Sequence, residues 1–206
     1  MNPIRILLLT AGFVALVAGV FVFVSQQRSA APAITTATMY PTPQAIADFD
    51  LVDADGNAVG REFFEGEWDL VFFGFTHCPD ICPVTLQILS AARRQIQDEG
   101  HAPLPRIVLV SVDPDRDTPE KLKTYIEYFG DGVAGLTGTL GGLRELAMDL
   151  GVFFQKAPTD EETGFYNVDH SSVVLFVDPD AQVRGLYTAP QRAEQIAADY
   201  AGVLAL

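Results

Sequence analysis

Leu70-Val71-Phe72-Phe73-Gly74-Phe75-Thr76-His77-Cys78-Pro79-Asp80-Ile81-Cys82-Pro83 is the stretch on which the fold turns. Its first six residues are a short unbroken apolar run, the mark of a strand buried on both faces in a sheet covered by helices. A helix follows almost at once. Pro83 suits a first helical turn, and Leu86, Leu89, Ala92 and Ile96 form an apolar stripe that reaches Asp98 before Gly100 ends it. Strand, turn and helix make half of a βαβ unit. The pattern repeats with a strand over Ile107–Val112 and a helix over Pro119–Phe129, for which Thr118 is a natural cap, so a parallel sheet is expected.

Further along the chain come a short apolar piece around Leu136, a helix from about Leu143 to Leu150, and Val152-Phe153-Phe154-Gln155, a strand opening an excursion. Residues 157–169 read as a loop. Ser172–Val177 is a strong strand, Asp178-Pro179-Asp180 a turn, Val183–Tyr187 another strand and Gln191–Ala201 a final helix. On the amino side, Phe49–Val52, the turn Asp53-Ala54-Asp55-Gly56-Asn57 and a return over Ala58–Phe64 predict a hairpin. That turn is not a calcium loop, because Gly56 comes too early and Phe64 stands where a bidentate Glu would be needed. The expected class is α/β, a central mixed sheet flanked by helices with an amino-terminal hairpin. There is no internal repeat.

With 206 residues the chain has room for one ordinary domain and an appendage. Its 27 acidic against 13 basic residues leave a net charge of −14, which excludes a phosphate-tracking protein and makes nucleic acid an unsuitable partner. From Ile6 to Val24 there are 19 uncharged residues, which at ~1.5 Å each match the ~30 Å core of a bilayer. Residues 1–24 are therefore expected to be a short cytoplasmic start and a transmembrane anchor. A cleavable signal has a shorter apolar core, although Ser29-Ala30-Ala31-Pro32-Ala33 offers small residues to a peptidase. An anchor of this kind carries the rest of the chain across, which places the domain on the periplasmic side of the inner membrane. Residues 25–47, rich in Ser, Ala, Thr, Pro and Gln without periodicity, read as a flexible tether, and 48–206 as the folded domain.

The two cysteines, Cys78 and Cys82, are too few for a disulfide scaffold or a four-cysteine zinc module. Their place at the carboxyl end of a buried strand and the start of a helix is where open α/β sheets put their sites. The partial positive charge of the helix terminus should lower the thiol pKa and make both sulfurs reactive. A four-residue spacing lets the pair share a disulfide or one metal ion; the alternatives are two small buried hydrophobes or an inert disulfide. His77, adjacent to Cys78, points elsewhere in such a run-in and makes a poor co-ligand, while His101 lies in a Pro- and Gly-rich loop and reads as solvated. Asp80 and Asp113 are expected to cap and to form turns, or alternatively to orient a ligand. Gly138-Thr139-Leu140-Gly141-Gly142 lacks the Lys-Ser/Thr ending of a phosphate loop.

Phe73–Pro83 together with Val110-Ser111-Val112-Asp113-Pro114-Asp115-Arg116-Asp117-Thr118-Pro119 and Asp169-His170-Ser171-Ser172 resembles the Sco/SenC family of membrane-anchored, thioredoxin-like copper proteins, over about residues 46–203. The resemblance implies a thioredoxin-like fold and copper ligands Cys78, Cys82 and His170. It also implies a role in assembling the binuclear copper centre of cytochrome c oxidase, with the copper-receiving subunit of the oxidase and other copper chaperones as partners. Thiolates suit Cu(I), and an added imidazole suits Cu(II); the same donors could hold zinc, so only the resemblance selects copper. The alternative function is a thiol–disulfide oxidoreductase that reduces the cysteines of the oxidase copper subunit, or a redox sensor, through Cys78 and Cys82 alone. Two departures from ordinary thioredoxins favour copper: the Cys-x₃-Cys spacing, and the absence of proline from Asp169–Ser172.

Overall fold

The computed structural model describes residues 12, 13, 15–20 and 33–205. Its strands are β1 (Thr38–Ala45), β2 (Leu51–Asp53), β3 (Ala58–Val59), β4 (Asp69–Gly74), β5 (Arg106–Ser111), β6 (Val133–Thr137), β7 (Phe154–Lys156), β8 (Val168–His170), β9 (Val173–Val177) and β10 (Gln182–Thr188). The helices are α1 (Ile81–Asp98), α2 (Pro119–Glu127), α3 (Leu140–Asp149) and α4 (Ala193–Val203). The expected anchor over Ile6–Val24 falls for the most part outside the described residues, among which no helix is long and apolar enough to cross a membrane.

Eight strands form one sheet in the order β1-β10-β9-β4-β5-β6-β2-β3. β4 is buried throughout and lies between β5, which runs parallel to it, and β9, which runs antiparallel. β6 continues the parallel run beyond β5. The unbroken apolar reading of residues 70–75 thus has its physical cause: this strand has neighbours on both edges and is buried on both faces. α1 turns its Leu86, Leu89, Ala92 and Ile96 inward, all fully buried, and α2 is capped as expected by Thr118, whose hydroxyl accepts from the Lys121 N–H. α1 packs against α4, and α2 against β6.

Four expectations change. The predicted tether ends in a strand, because Thr38–Ala45 pairs antiparallel with β10 along the edge of the sheet. Pro41 and Pro43 are tolerated there because one side of an edge strand needs no donors, and the register shifts between Met39 and Gln44. The approach is fixed by the buried carboxylate of Asp199, which accepts from the N–H groups of Thr35, Thr36 and Ala37 at 2.7, 2.9 and 2.8 Å. The return strand of the early hairpin is only Ala58–Val59. Arg61–Phe64 instead forms a 3₁₀ turn that buries Phe64 edge-on against Phe49 and Phe63. α3 begins at Leu140 rather than Leu143, since the Thr139 hydroxyl caps the Gly142 N–H at 3.1 Å. Finally, the excursion expected as loop over 157–169 ends in β8, which pairs with β7 as a separate hairpin.

Candidate metal centre

Gly74 ends β4, and the chain turns through Phe75 and Thr76 into α1. The Cys78 N–H donates to the Phe75 carbonyl at 3.3 Å, and the Cys82 N–H donates to the Cys78 sulfur at 3.5 Å. Cys78 thus takes the helix-capping role expected of Asp80, which occupies the N-cap position without a side-chain cap. Cys78 is half-buried, Cys82 is fully buried, and both are free thiols. The bare α-carbon of Gly74 leaves room for the Cys82 sulfur to lie directly against β4.

His170 arrives from 88 residues away with its Nε2 3.6 Å from the Cys82 Sγ. Its Nδ1 lies 3.2 Å from the Ser171 carbonyl, which can only accept; Nδ1 therefore carries the proton and Nε2 turns its lone pair toward the sulfur. The rings of Phe72 and Phe75 stand edge-on to the imidazole, with centroids at 5.7 and 6.1 Å. Burial lowers the pKa of His170, although the Ser171 hydrogen bond and Asp169 act in the opposite sense. The neutral imidazole is the form able to bind a metal.

The expectation of two activated thiols is overturned at Cys82. Burial pushes its thiol well above the usual value, outweighing the lowering by its hydrogen bond to the Phe75 backbone, and the Cys78 and Asp117 charges push it further up. The helix terminus acts over its first turn, but removal of water from a fully buried sulfur is the larger effect. Cys82 is therefore a sulfur that keeps its proton in the metal-free protein and releases it when a metal ion takes the proton's place.

His77 turns away as expected, its Nδ1 3.1 Å from the Thr76 hydroxyl and 3.5 Å from Asp117. It forms with Asp113 and Asp117 the one group of three histidine, cysteine or acidic side chains among the described residues whose ligand atoms all lie within 4.8 Å of one another; Cys78, Cys82 and His170 are not drawn together that closely. Both carboxylates there are already spent. Asp117 accepts from the Thr76 N–H and hydroxyl and the Ser111 hydroxyl, while Asp113 is engaged by Arg116 and the Tyr166 hydroxyl. Asp113 thus does more than form a turn. His101 sits by Glu99 at 3.6 Å, as a surface residue should. Sequence reading assigned no role to Arg116, Asp117 or Tyr166; the only available signal was the concentration of two acids and an arginine between Pro114 and Pro119, with Asp113 just before them.

A family model described as SCO1/SenC matches residues 37–205. A proposed copper-binding protein of Stutzerimonas stutzeri is 40% identical over 156 residues, covering 76% of this chain and 75% of that one. The human mitochondrial protein SCO2 homolog is 38% identical over 149 residues, covering 72% of this chain but only 56% of its own length, so this chain matches little more than half of it. Among solved structures, Arabidopsis thaliana ScoI with copper bound superposes with a TM-score of 0.73 at 32% identity, covering 79% of this chain and 100% of that one. BsSco, described as a member of the Sco family of cytochrome c oxidase assembly proteins, superposes with a TM-score of 0.60 at 26% identity, covering 81% and 98%.

Proposed function

The chain belongs to the SCO1/SenC family and has its thioredoxin-like α/β fold, and from that premise we propose that it binds copper through Cys78, Cys82 and His170 and delivers it to the copper-receiving subunit of cytochrome c oxidase. One observation carries the reading: an imidazole Nε2 lies 3.6 Å from a buried sulfur, and a second thiol stands in the turn that leads into the same helix. Dithiol exchange needs no imidazole at that place, whereas Cu(II) needs a donor beyond two thiolates. Two thiolates match Cu(I), and the added imidazole accommodates Cu(II).

The unequal burial of the sulfurs gives the transfer a direction. Cys82 and His170 hold the ion from within, and Cys78, half-exposed at the mouth, is the ligand an incoming donor of the acceptor subunit can displace first. Loading releases the Cys82 proton. The uncharged run Ile6–Val24 supports an anchor of the inner membrane with the domain on its periplasmic side, where that subunit would present its copper site.

The test compares wild type, Cys78→Ser, Cys82→Ser and His170→Ala, each as the detergent-solubilised full chain, by metal analysis, Cu(I) and Cu(II) titration and dithiol reduction potential. The copper reading expects His170→Ala to keep the potential, to lose Cu(II) and to fail in oxidase assembly. If this variant binds both copper ions as well as wild type and still supports assembly, copper delivery is wrong and the dithiol reductant of the oxidase cysteines takes its place. A carboxyl-terminal reporter active only in the cytoplasm would refute the proposed orientation.

A further inference from the structure

His170 ends β8, which pairs only with β7 and has no place in the eight-stranded sheet. Its distance from the thiols depends on the short join to β9, two residues on, and on side-chain contacts, several of which converge on one loop. The buried Asp113 carboxylate accepts from the Tyr166 hydroxyl at 2.7 Å and pairs with the Arg116 Nε. Arg116 Nη1 donates to the Tyr166 carbonyl at 3.2 Å, and its guanidinium lies 3.6 Å from the centre of the Tyr166 ring. The same guanidinium lies 5.7 Å from the Phe75 ring, one of the two that border the imidazole. Tyr166, two residues before β8, is thus clamped to the end of the βαβ unit. Lys156 of β7 adds a second fastening, bonding Asp115 at 2.9 Å and standing 3.8 Å from the Tyr166 ring centre.

The opposite end of this loop holds the thiols. Asp117, whose side chain is fully buried, accepts from the Thr76 N–H at 2.8 Å and its hydroxyl at 2.6 Å, two residues before Cys78. Burying two carboxylates within five residues is costly unless each is hydrogen-bonded, and here Asp117 is bonded to Thr76, two residues before Cys78, and Asp113 to Tyr166, four residues before His170.

We propose that the loop Asp113–Asp117 is the positioning element of the metal centre: Asp117 fixes the turn that carries the thiols, while Asp113 and Arg116 fix the hairpin that carries His170, and the loop itself supplies no donor. This rests on the copper reading for its consequence, and on the contacts above for its geometry. Cu(II), which depends on the imidazole, should feel any loosening of the clamp more than Cu(I), which two thiolates satisfy.

The experiment uses the full chain with Tyr166→Phe, which removes one hydroxyl and keeps the ring under the guanidinium, and Arg116→Lys, which keeps the charge and loses the planar fork. In metal-free protein, amide exchange over Val168–His170 should quicken roughly tenfold in both. Cu(II) affinity should fall by about 10–100-fold, Cu(I) affinity by markedly less, and the dithiol potential should stay at its wild-type value. Unchanged exchange in Tyr166→Phe overturns the proposal, as does faster exchange with equal losses of the two copper ions. Should wild type itself fail to bind copper, the copper reading falls while the metal-free exchange still decides whether this loop holds the hairpin.

Discussion

Replacing Gly74 by alanine tests whether the close approach of strand and sulfur is what seats Cys82. A Cβ built there would lie 2.8 Å from a Phe72 ring carbon, 3.0 Å from the Cys82 Sγ and 3.2 Å from a Leu109 methyl, all inside the 3.4–4 Å of ordinary contact. Phe72 and Leu109 are fully buried, so neither can swing into solvent, and the sulfur must give way by about half an ångström. Overpacking of this kind costs about 1–3 kcal/mol, and the smaller entropy of an alanine in the unfolded chain offsets about 0.4–1 of it. A net loss of about 1–2 kcal/mol corresponds to a melting temperature about 3–6 °C lower for a chain of this size. The displacement also exceeds the ~0.2 Å tolerance of metal–donor distances, so Cu(II) affinity should fall along with stability. Thermal unfolding of the metal-free chain and Cu(II) titration measure the two effects. A Gly74→Ala variant as stable as wild type that binds Cu(II) equally well would show that the sulfur is not wedged against β4.

The raised pKa of the Cys82 thiol means a proton must leave when metal enters, so apparent copper affinity should rise at least about tenfold per pH unit between pH 6.5 and 8, read by competition with a chelator. His170 acts on stability in acid: burial makes the folded imidazole the weaker base, so the unfolded chain takes up the proton first, near its ordinary value of 6.5. Metal-free stability should therefore be level with respect to this group above that pH and fall as the pH drops from 6.5 toward the folded pKa; denaturant unfolding of His170→Gln should lack this part of the decline. Asp199→Ala leaves the N–H groups of Thr35, Thr36 and Ala37 without their acceptor, for an expected loss of about 2–3 kcal/mol, with limited proteolysis cutting before β1. His77→Ala should change Cu(II) affinity by less than about twofold, because that imidazole faces Thr76 and Asp117; a larger loss on titration would make it a ligand.

Elements whose signals are local were legible in the amino-acid sequence. The apolar run at residues 70–75, the stripe from Leu86 to Ile96 and the cap at Thr118 each follow from the burial or hydrogen bonding of neighbouring residues, and they appear within a residue or two of where they were expected. The placement of two cysteines at a strand-to-helix turn was likewise a local inference, and His170 was named only because three motifs together resembled a family.

What the tertiary structure decided is whatever depends on residues distant in the chain. Thr38–Ala45 has no strand pattern of its own and becomes a strand because β10 presents an edge, Gly185 leaves space for the approaching backbone, and Asp199 collects three amide groups 162–164 residues away. The Cys82 thiol was expected to be acidic from its position at a helix start, yet complete burial reverses the sign, since helix-terminal charge acts over one turn and desolvation depends on everything packed around the sulfur. The meeting of His170 with Cys82 is of the same kind: residue types and spacing carry the chemistry each group can perform, but the 3.6 Å between them depends on the packing of segments far apart in the chain, among them a loop whose buried carboxylates bond Thr76 on one side and Tyr166 on the other, and separations set by long-range packing leave no periodic trace in a sequence.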